Sequence, residues 1–249
     1  MSKLAILTQA SSELAYPLAA ALASDGARLG IVDTNLDAAQ LVVSRLKTEG
    51  ADATAYAAEN STESVQAALN AIGRPDVVVT CPPTPPVLQS TDLSEADFCA
   101  YLDSSLFHAY LWNQIAGQAM LETGSGVIVN VTGLSGMGGW PGWLASSVAW
   151  GGIHNLTHTL AVEWGKRGVR VNCLVPGVTE TTMQQITTSP SAPNQAKVLW
   201  RIPEGKTAPV EAFGQALLYL INGAFLNGEI LRVDGGWDIW GTFSAVAKK

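Results

Sequence analysis

Short apolar runs rich in branched side chains recur along this chain, each separated from the next by a stretch with helical periodicity, and few folds accommodate that alternation. A run that is apolar at every position has no polar face to turn to water. It belongs in a parallel sheet covered on both sides by the intervening helices. The strands read as Leu4 to Leu7, Leu29 to Asp33, Ala53 to Ala57, Asp76 to Val79, Gly126 to Val131, Val169 to Leu174 and Glu229 to Val233. Helices are expected over Tyr16 to Ser24, Asp37 to Glu49, Ser61 to Ile72, Glu95 to Met120, Ser146 to Lys166 and Glu211 to Ile221. Without an internal repeat or an interdomain linker, the 249 residues are expected to form a single α/β domain, a doubly wound parallel sheet with helices on both faces. Residues 179–196 interrupt the alternation. Polar and broken by proline, they cannot bury enough to fix themselves, and a mobile flap over the ligand cleft is expected there.

The balance of residue types narrows the partners. With 47% hydrophobic and 14% charged residues and a mean hydropathy of +0.19, the chain is richer in apolar surface than a soluble monomer needs, so an oligomer is expected. A net charge of −7 leaves no basic face for nucleic acid or an anionic membrane. Cys81, Cys99 and Cys173 lie far apart without metal-ligand spacing and read as reduced core thiols. Met1-Ser2-Lys3 runs straight into the first strand with no cleavable apolar segment, and no stretch is long enough to span a bilayer. A cytoplasmic location is therefore expected.

Two motifs are more specific. Gly165-Lys166-Arg167-Gly168-Val169-Arg170-Val171-Asn172 with Pro176-Gly177, and the later Val233-Asp234-Gly235-Gly236-Trp237, resemble the short-chain dehydrogenase/reductase family. The likeness covers nearly the whole chain. It implies a Rossmann-type sheet and, commonly, a tetramer built through the two long central helices and the C-terminal strand.

The same resemblance shows what has been replaced. In that family a Thr-Gly-x-x-x-Gly-x-Gly turn after the first strand lets the backbone approach the cofactor diphosphate at a helix N-terminus. Here the turn is Thr8-Gln9-Ala10-Ser11-Ser12-Glu13-Leu14-Ala15, and Gln9, Glu13 and Ala15 stand in the three glycine places. A side chain there obstructs that approach, and the Glu13 carboxylate adds like charge. Asp33 remains where NAD-type members bond the adenosine ribose, although an acid at a strand end is common without a ligand. Thr80-Cys81-Pro82-Pro83 replaces the family's Asn-Asn-Ala-Gly, and Ser105 replaces its structural, proton-relay asparagine. The family's serine, tyrosine and lysine, which orient the carbonyl, exchange the proton and lower the tyrosine pKa, correspond to Gly133, Ser146 and Trp150. Thr132 and Ser147 each lie one residue from a vacated place, but an aliphatic hydroxyl is too weak an acid to replace a phenol.

Other residues admit a bland and a sharp reading. His154 and His158 share a helix face and could ligate a metal, but no third ligand has useful spacing, so a packed helix is expected and no metal site. His108 is expected at a subunit contact rather than as a base. Ser11-Ser12-Glu13 reads as a helix cap before it reads as an activated nucleophile. Trp140, Trp143, Trp150, Trp237 and Trp240 flank the places of substrate and nicotinamide. They either fill an abandoned cleft, since an empty cavity destabilises a core, or form an aromatic box for a planar or cationic ligand.

The losses predict a non-catalytic subunit of a heteromeric NAD-dependent dehydrogenase. No cofactor is expected in this chain. NAD is expected on an active short-chain paralogue, in a heterotetramer that acts on a β-hydroxyacyl-CoA. The alternative, of a different class, is a cofactor-independent enzyme or ligand-binding protein that reuses the tryptophan-lined cleft.

Overall fold

The computed structural model describes residues 2–83, 85–188 and 193–240. Its seven strands are β1 Leu4–Thr8, β2 Arg28–Asp33, β3 Ala53–Ala57, β4 Val77–Thr80, β5 Gly126–Val131, β6 Val169–Pro176 and β7 Ile230–Val233. They pair in parallel in the order β3-β2-β1-β4-β5-β6-β7. The helices are α1 Ala15–Ser24, α2 Leu36–Thr48, α3 Thr62–Ile72, α4 Glu95–Leu102, α5 His108–Thr123, α6 Leu144–Trp164, α7 Glu180–Thr187, α8 Gln195–Arg201 and α9 Val210–Asn222. The doubly wound α/β architecture expected from the alternation is the one observed.

Burial explains the all-apolar strands. Every residue of β1 and β4 is buried, because helices cover both faces. On one face α1, α2 and α9 pack Leu18, Leu46 and Phe213 over the sheet. On the other, α3, α5 and α6 contribute Val65, Trp112, Ile115 and Ala161. Side-chain caps start several helices: Asn35 accepts from the Asp37 N–H, Ser61 from Ser64 and Ser94 from Asp97. Inside the second layer, the buried Asn130 amide accepts from Thr80 (2.8 Å) and Asn113 (3.0 Å) and donates to Thr157 (3.0 Å). That network locks β4, β5, α5 and α6 together.

Several expectations need adjusting. The single helix expected over Glu95 to Met120 is interrupted by a π-helical segment, Asp103–Phe107, that holds the buried Ser105. The stretch 179–196 contains α7 and the first residues of α8, with residues 189–192 outside the described part. The two short helices are capped locally: Thr179 accepts from the Thr182 N–H and Asn194 from the Lys197 N–H, while Met183 and Val198 face inward. Cys99 is exposed rather than a core thiol, whereas Cys81 and Cys173 are buried. Among the described residues, no helix is long and apolar enough to cross a membrane.

Candidate functional site

The order of the strands reverses between β1 and β4, and in open α/β sheets a crevice forms at the carboxyl ends beside such a reversal. The turn from β1 into α1 borders it. Gln9 adopts a left-handed backbone (φ +56°), and its side-chain amide donates to the Ser104 carbonyl in the π-helical segment. The Ser12 N–H bonds the Gln9 carbonyl (3.0 Å) and the Ala15 N–H bonds the Ser12 carbonyl (3.0 Å), so the turn consumes its own donors. Glu13 reaches across the crevice, its carboxylate accepting from the Thr179 hydroxyl (3.0 Å). Ala15 opens α1 and is fully buried in the core. The helix starts without a side-chain cap, contrary to the serine cap expected. Ser12 Oγ only meets the Leu14 N–H at 3.4 Å.

Asp33 faces inward, and the chain itself occupies both carboxylate oxygens. One accepts from the Ser11 N–H (2.8 Å) and the other from the Asn35 N–H (2.9 Å). His108 also differs from expectation. It is buried, with Nδ1 2.6 Å from Asn60 Oδ1 and Nε2 2.8 Å from Thr8 Oγ1, so it ties α5 to β1 instead of facing a neighbour. Burial pulls its pKa down to about 4, against a weaker opposing pull from Asp33. The imidazole is therefore neutral when folded and protonates more readily when unfolded, so the unfolded chain binds the extra proton as pH falls through the ordinary histidine range. Between pH 6 and 5 this histidine should remove about 1 kcal/mol of stability. Urea unfolding across that window, compared with His108→Gln, checks it: the variant should show a shallower slope.

The places of the family's catalytic groups lie at the end of β5 and along α6. Gly133 has an extended backbone (φ −163°), so its lack of a side chain answers to space and not to conformation. A Cβ built on it would lie 2.3 Å from Cζ3 and 2.7 Å from Cη2 of Trp150. One at Gly136 would lie 2.6 Å from the Trp150 Cβ. The indole fills the volume that a serine at 133 would need, and it packs with Tyr101, Ala149 and Ile153. Ser146 is fully buried, with its hydroxyl 2.9 Å from that of Ser135 and 3.1 Å from the Trp143 carbonyl. Ser105 is also buried.

What remains of the crevice is a space of about 70 Å³ bordered by Glu13, Thr132, Gly133, Trp143, Trp150 and Thr179. Thr132 Oγ1 bonds His154 Nε2 (3.0 Å) and approaches Cys173 Sγ (3.4 Å). Burial pulls the His154 pKa down to about 4 and pushes the Cys173 thiol up to about 12. Such a chain supplies neither a thiolate nor an effective base at neutral pH. His154 is thus engaged within the protein while His158 is exposed, and among the described residues no three His, Cys, Asp or Glu side chains converge on a metal position.

The tryptophans divide between two places. Trp140 packs on Trp237 (centroids 5.0 Å apart) and edge-on to Trp143 (5.7 Å). Trp140 and Trp143 separate the small space from a chamber of about 600 Å³. Trp240 instead meets Trp200 (5.5 Å) and borders neither. Reading the sequence missed Gly136 and Thr179. The first was legible as a second glycine facing the oversized residue at 150. The second lay two residues beyond the Pro176-Gly177 motif.

Comparison with known proteins agrees with this architecture. Residues 9–238 match the family profile described as Enoyl-(Acyl carrier protein) reductase. D-threitol dehydrogenase of Mycolicibacterium smegmatis is 31% identical over 95% of this chain and 93% of its own length. A protein of Thauera aromatica, the BbsD subunit of (2S)-[(R)-hydroxy(phenyl)methyl]succinyl-CoA dehydrogenase, is 27% identical over 94% of this chain and 96% of its own. The crystal structure of gox2181 superposes with a TM-score of 0.87 at 26% identity, covering 96% of both chains. Sheet order, motifs and these relatives together place the chain in the short-chain dehydrogenase/reductase family of oxidoreductases.

Proposed function

We propose that this chain is a non-catalytic subunit of a heteromeric NAD-dependent short-chain dehydrogenase, in which an active paralogue holds the cofactor and transfers the hydride. The observation that carries this reading is the Trp150 indole lying where a Cβ at Gly133 would stand, so the serine and lysine places have become one packed contact. Around it, no phenol or ammonium stands at 146 or 150 to exchange a proton. The diphosphate turn does not suit a dinucleotide: Gln9 and Glu13 bond away to Ser104 and Thr179, the Ser12 and Ala15 amides bond within the turn, and the Ser11 amide is taken by Asp33. Asp33 is spent on backbone donors in the same way.

What the chain retains is surface for assembly. On the π-helical segment, α5 and α6, the apolar side chains of Phe107, Tyr110, Leu144, Val148 and Val162 are exposed, from 40% at Tyr110 to 82% at Val162. A neighbouring subunit laid over these helices would remove that surface from water. The likeness to BbsD, named as a subunit of (2S)-[(R)-hydroxy(phenyl)methyl]succinyl-CoA dehydrogenase, supports the finer assignment: the counterpart subunit of that enzyme or of a related one. The partner would then oxidise a β-hydroxyacyl-CoA to a β-ketoacyl-CoA, passing the hydride to its own NAD.

Expressed alone, the chain should give no saturable NADH fluorescence signal. Expressed with its genomic neighbours, it should copurify with a short-chain paralogue that carries Tyr-x-x-x-Lys. A stable homotetramer that turns over with NAD would overturn the reading. A second reading, ligand binding without a cofactor, is favoured by one observation: the chamber of about 600 Å³ beside the filled crevice.

A further inference from the structure

We infer that this chamber is a binding site for aromatic carboxylates, used without a nicotinamide cofactor. The inference rests on the second reading above and does not depend on whether the chain has a catalytic partner.

Size comes first. At about 600 Å³ the chamber has the volume of a small-molecule site, typically about 300–1,000 Å³. The neighbouring crevice, at about 70 Å³, does not. Trp140, Trp143 and Trp237 all line it, Trp140 packing on the other two with ring planes inclined by 32° and 75°. A flat aromatic body is the natural complement of such a lining.

Charge then sets the sign of the ligand. Lys197 and Arg201 lie four residues apart on α8, so they share a side of the helix, and both line the chamber. Neither forms a salt bridge with a described residue, and no described lining residue is Asp or Glu. In a chain of net charge −7 this is a local cationic rim. The aromatic box was compatible with a cationic ligand on sequence alone. Here Arg201 already sits 4.9 Å over the Trp237 ring, and a second cation would meet two like charges. A carboxylate instead accepts from the guanidinium fork, with the Gln185 amide beside it. The ligand would bridge α7, which carries Gln185, to α8 and to the tryptophan loop before α6.

The test is a titration of the full chain, in the assembly in which it purifies, with 3-phenylpropionate and with its uncharged analogue 3-phenylpropanol. Tryptophan fluorescence and calorimetry are read together, with no NAD present. The acid should bind saturably and about tenfold or more tighter than the alcohol, the worth of one charge-assisted contact. Arg201→Gln with Lys197→Gln should erase that preference, and both residues are exposed, so the fold should tolerate the change. Equal affinity for acid and alcohol, no saturation in the millimolar range, or a preference unchanged by the double substitution would each overturn the inference. NADH titrated into the same preparation tests the non-catalytic reading separately, so either can fail while the other stands.

Discussion

Trp150→Ala should lower the unfolding free energy by about 3–5 kcal/mol, the usual cost of emptying a buried tryptophan site. The indole is 5% exposed and joins α6 to Tyr101 and to Gly133 at the end of β5. Its relation to Gly133 makes the prediction sharper. In the native chain Gly133→Ala sets a methyl 2.3 Å from the ring, so backbone or indole must shift, at a cost of about 1–3 kcal/mol. Once Trp150 is alanine the same methyl enters empty space and should cost almost nothing. A double-mutant cycle by urea unfolding should therefore show coupling of about 1–3 kcal/mol between the two sites. Additive costs would mean that something other than the indole forbids a side chain at 133.

That coupling bears on what the sequence could disclose. Fold class followed from periodicity, because all-apolar strands such as β4 have one physical solution. Gly133, Ser146 and Trp150 were legible only as missing groups, since position against a motif says which side chain is absent and not what its successor does. Gly133 meets an indole seventeen residues further on, and no local rule encodes the distance between a glycine and an indole on another element. His108 shows the same limit. Its place along the helix suggested a subunit contact, whereas the ring turns inward to Thr8 and Asn60, a pairing of residues 100 and 48 positions away. The helices within 179–196 were not legible for the opposite reason: Thr179 and Asn194 supply local caps that average composition hides.

The contacts also connect the separate losses. Gln9 is bonded to the π-helical segment that carries Ser105, and Glu13 is bonded to the residue that caps α7. In a dinucleotide-binding relative the cofactor would lie between these elements. Here side chains of the turn span the gap, so the elements bordering the crevice are held by the protein's own hydrogen bonds. Replacing one group therefore cannot restore the site, because the others hold the closed arrangement.

This leads to the second large expectation, on activity. The triple variant Gly133→Ser, Ser146→Tyr and Trp150→Lys, which rewrites the family's catalytic trio, should reduce no NAD in the presence of a β-hydroxyacyl-CoA. A functional trio contributes several orders of magnitude in rate, on the order of 10⁴-fold from acid/base exchange alone, so recovery would be conspicuous. Two physical obstacles stand against it. Trp150→Lys removes the indole but places an ammonium stem against the apolar Tyr101, Ala149 and Ile153, which favours the neutral amine or the unfolded chain. Ser146 is fully buried against Ser135 and the Trp143 carbonyl, so a phenol there must push Trp143 aside and the Trp140 ring with it. Even a folded triple variant would retain Gln9 and Glu13 in the turn, leaving the hydride acceptor without its diphosphate seat. NADH titration separates the two levels: the triple variant should show no saturable binding, and adding Gln9→Gly, Glu13→Gly and Ala15→Gly is the minimum change from which binding could return. If the triple variant alone binds NADH and turns over, the turn was never the barrier, and the division of labour between this chain and a catalytic partner would have to be abandoned.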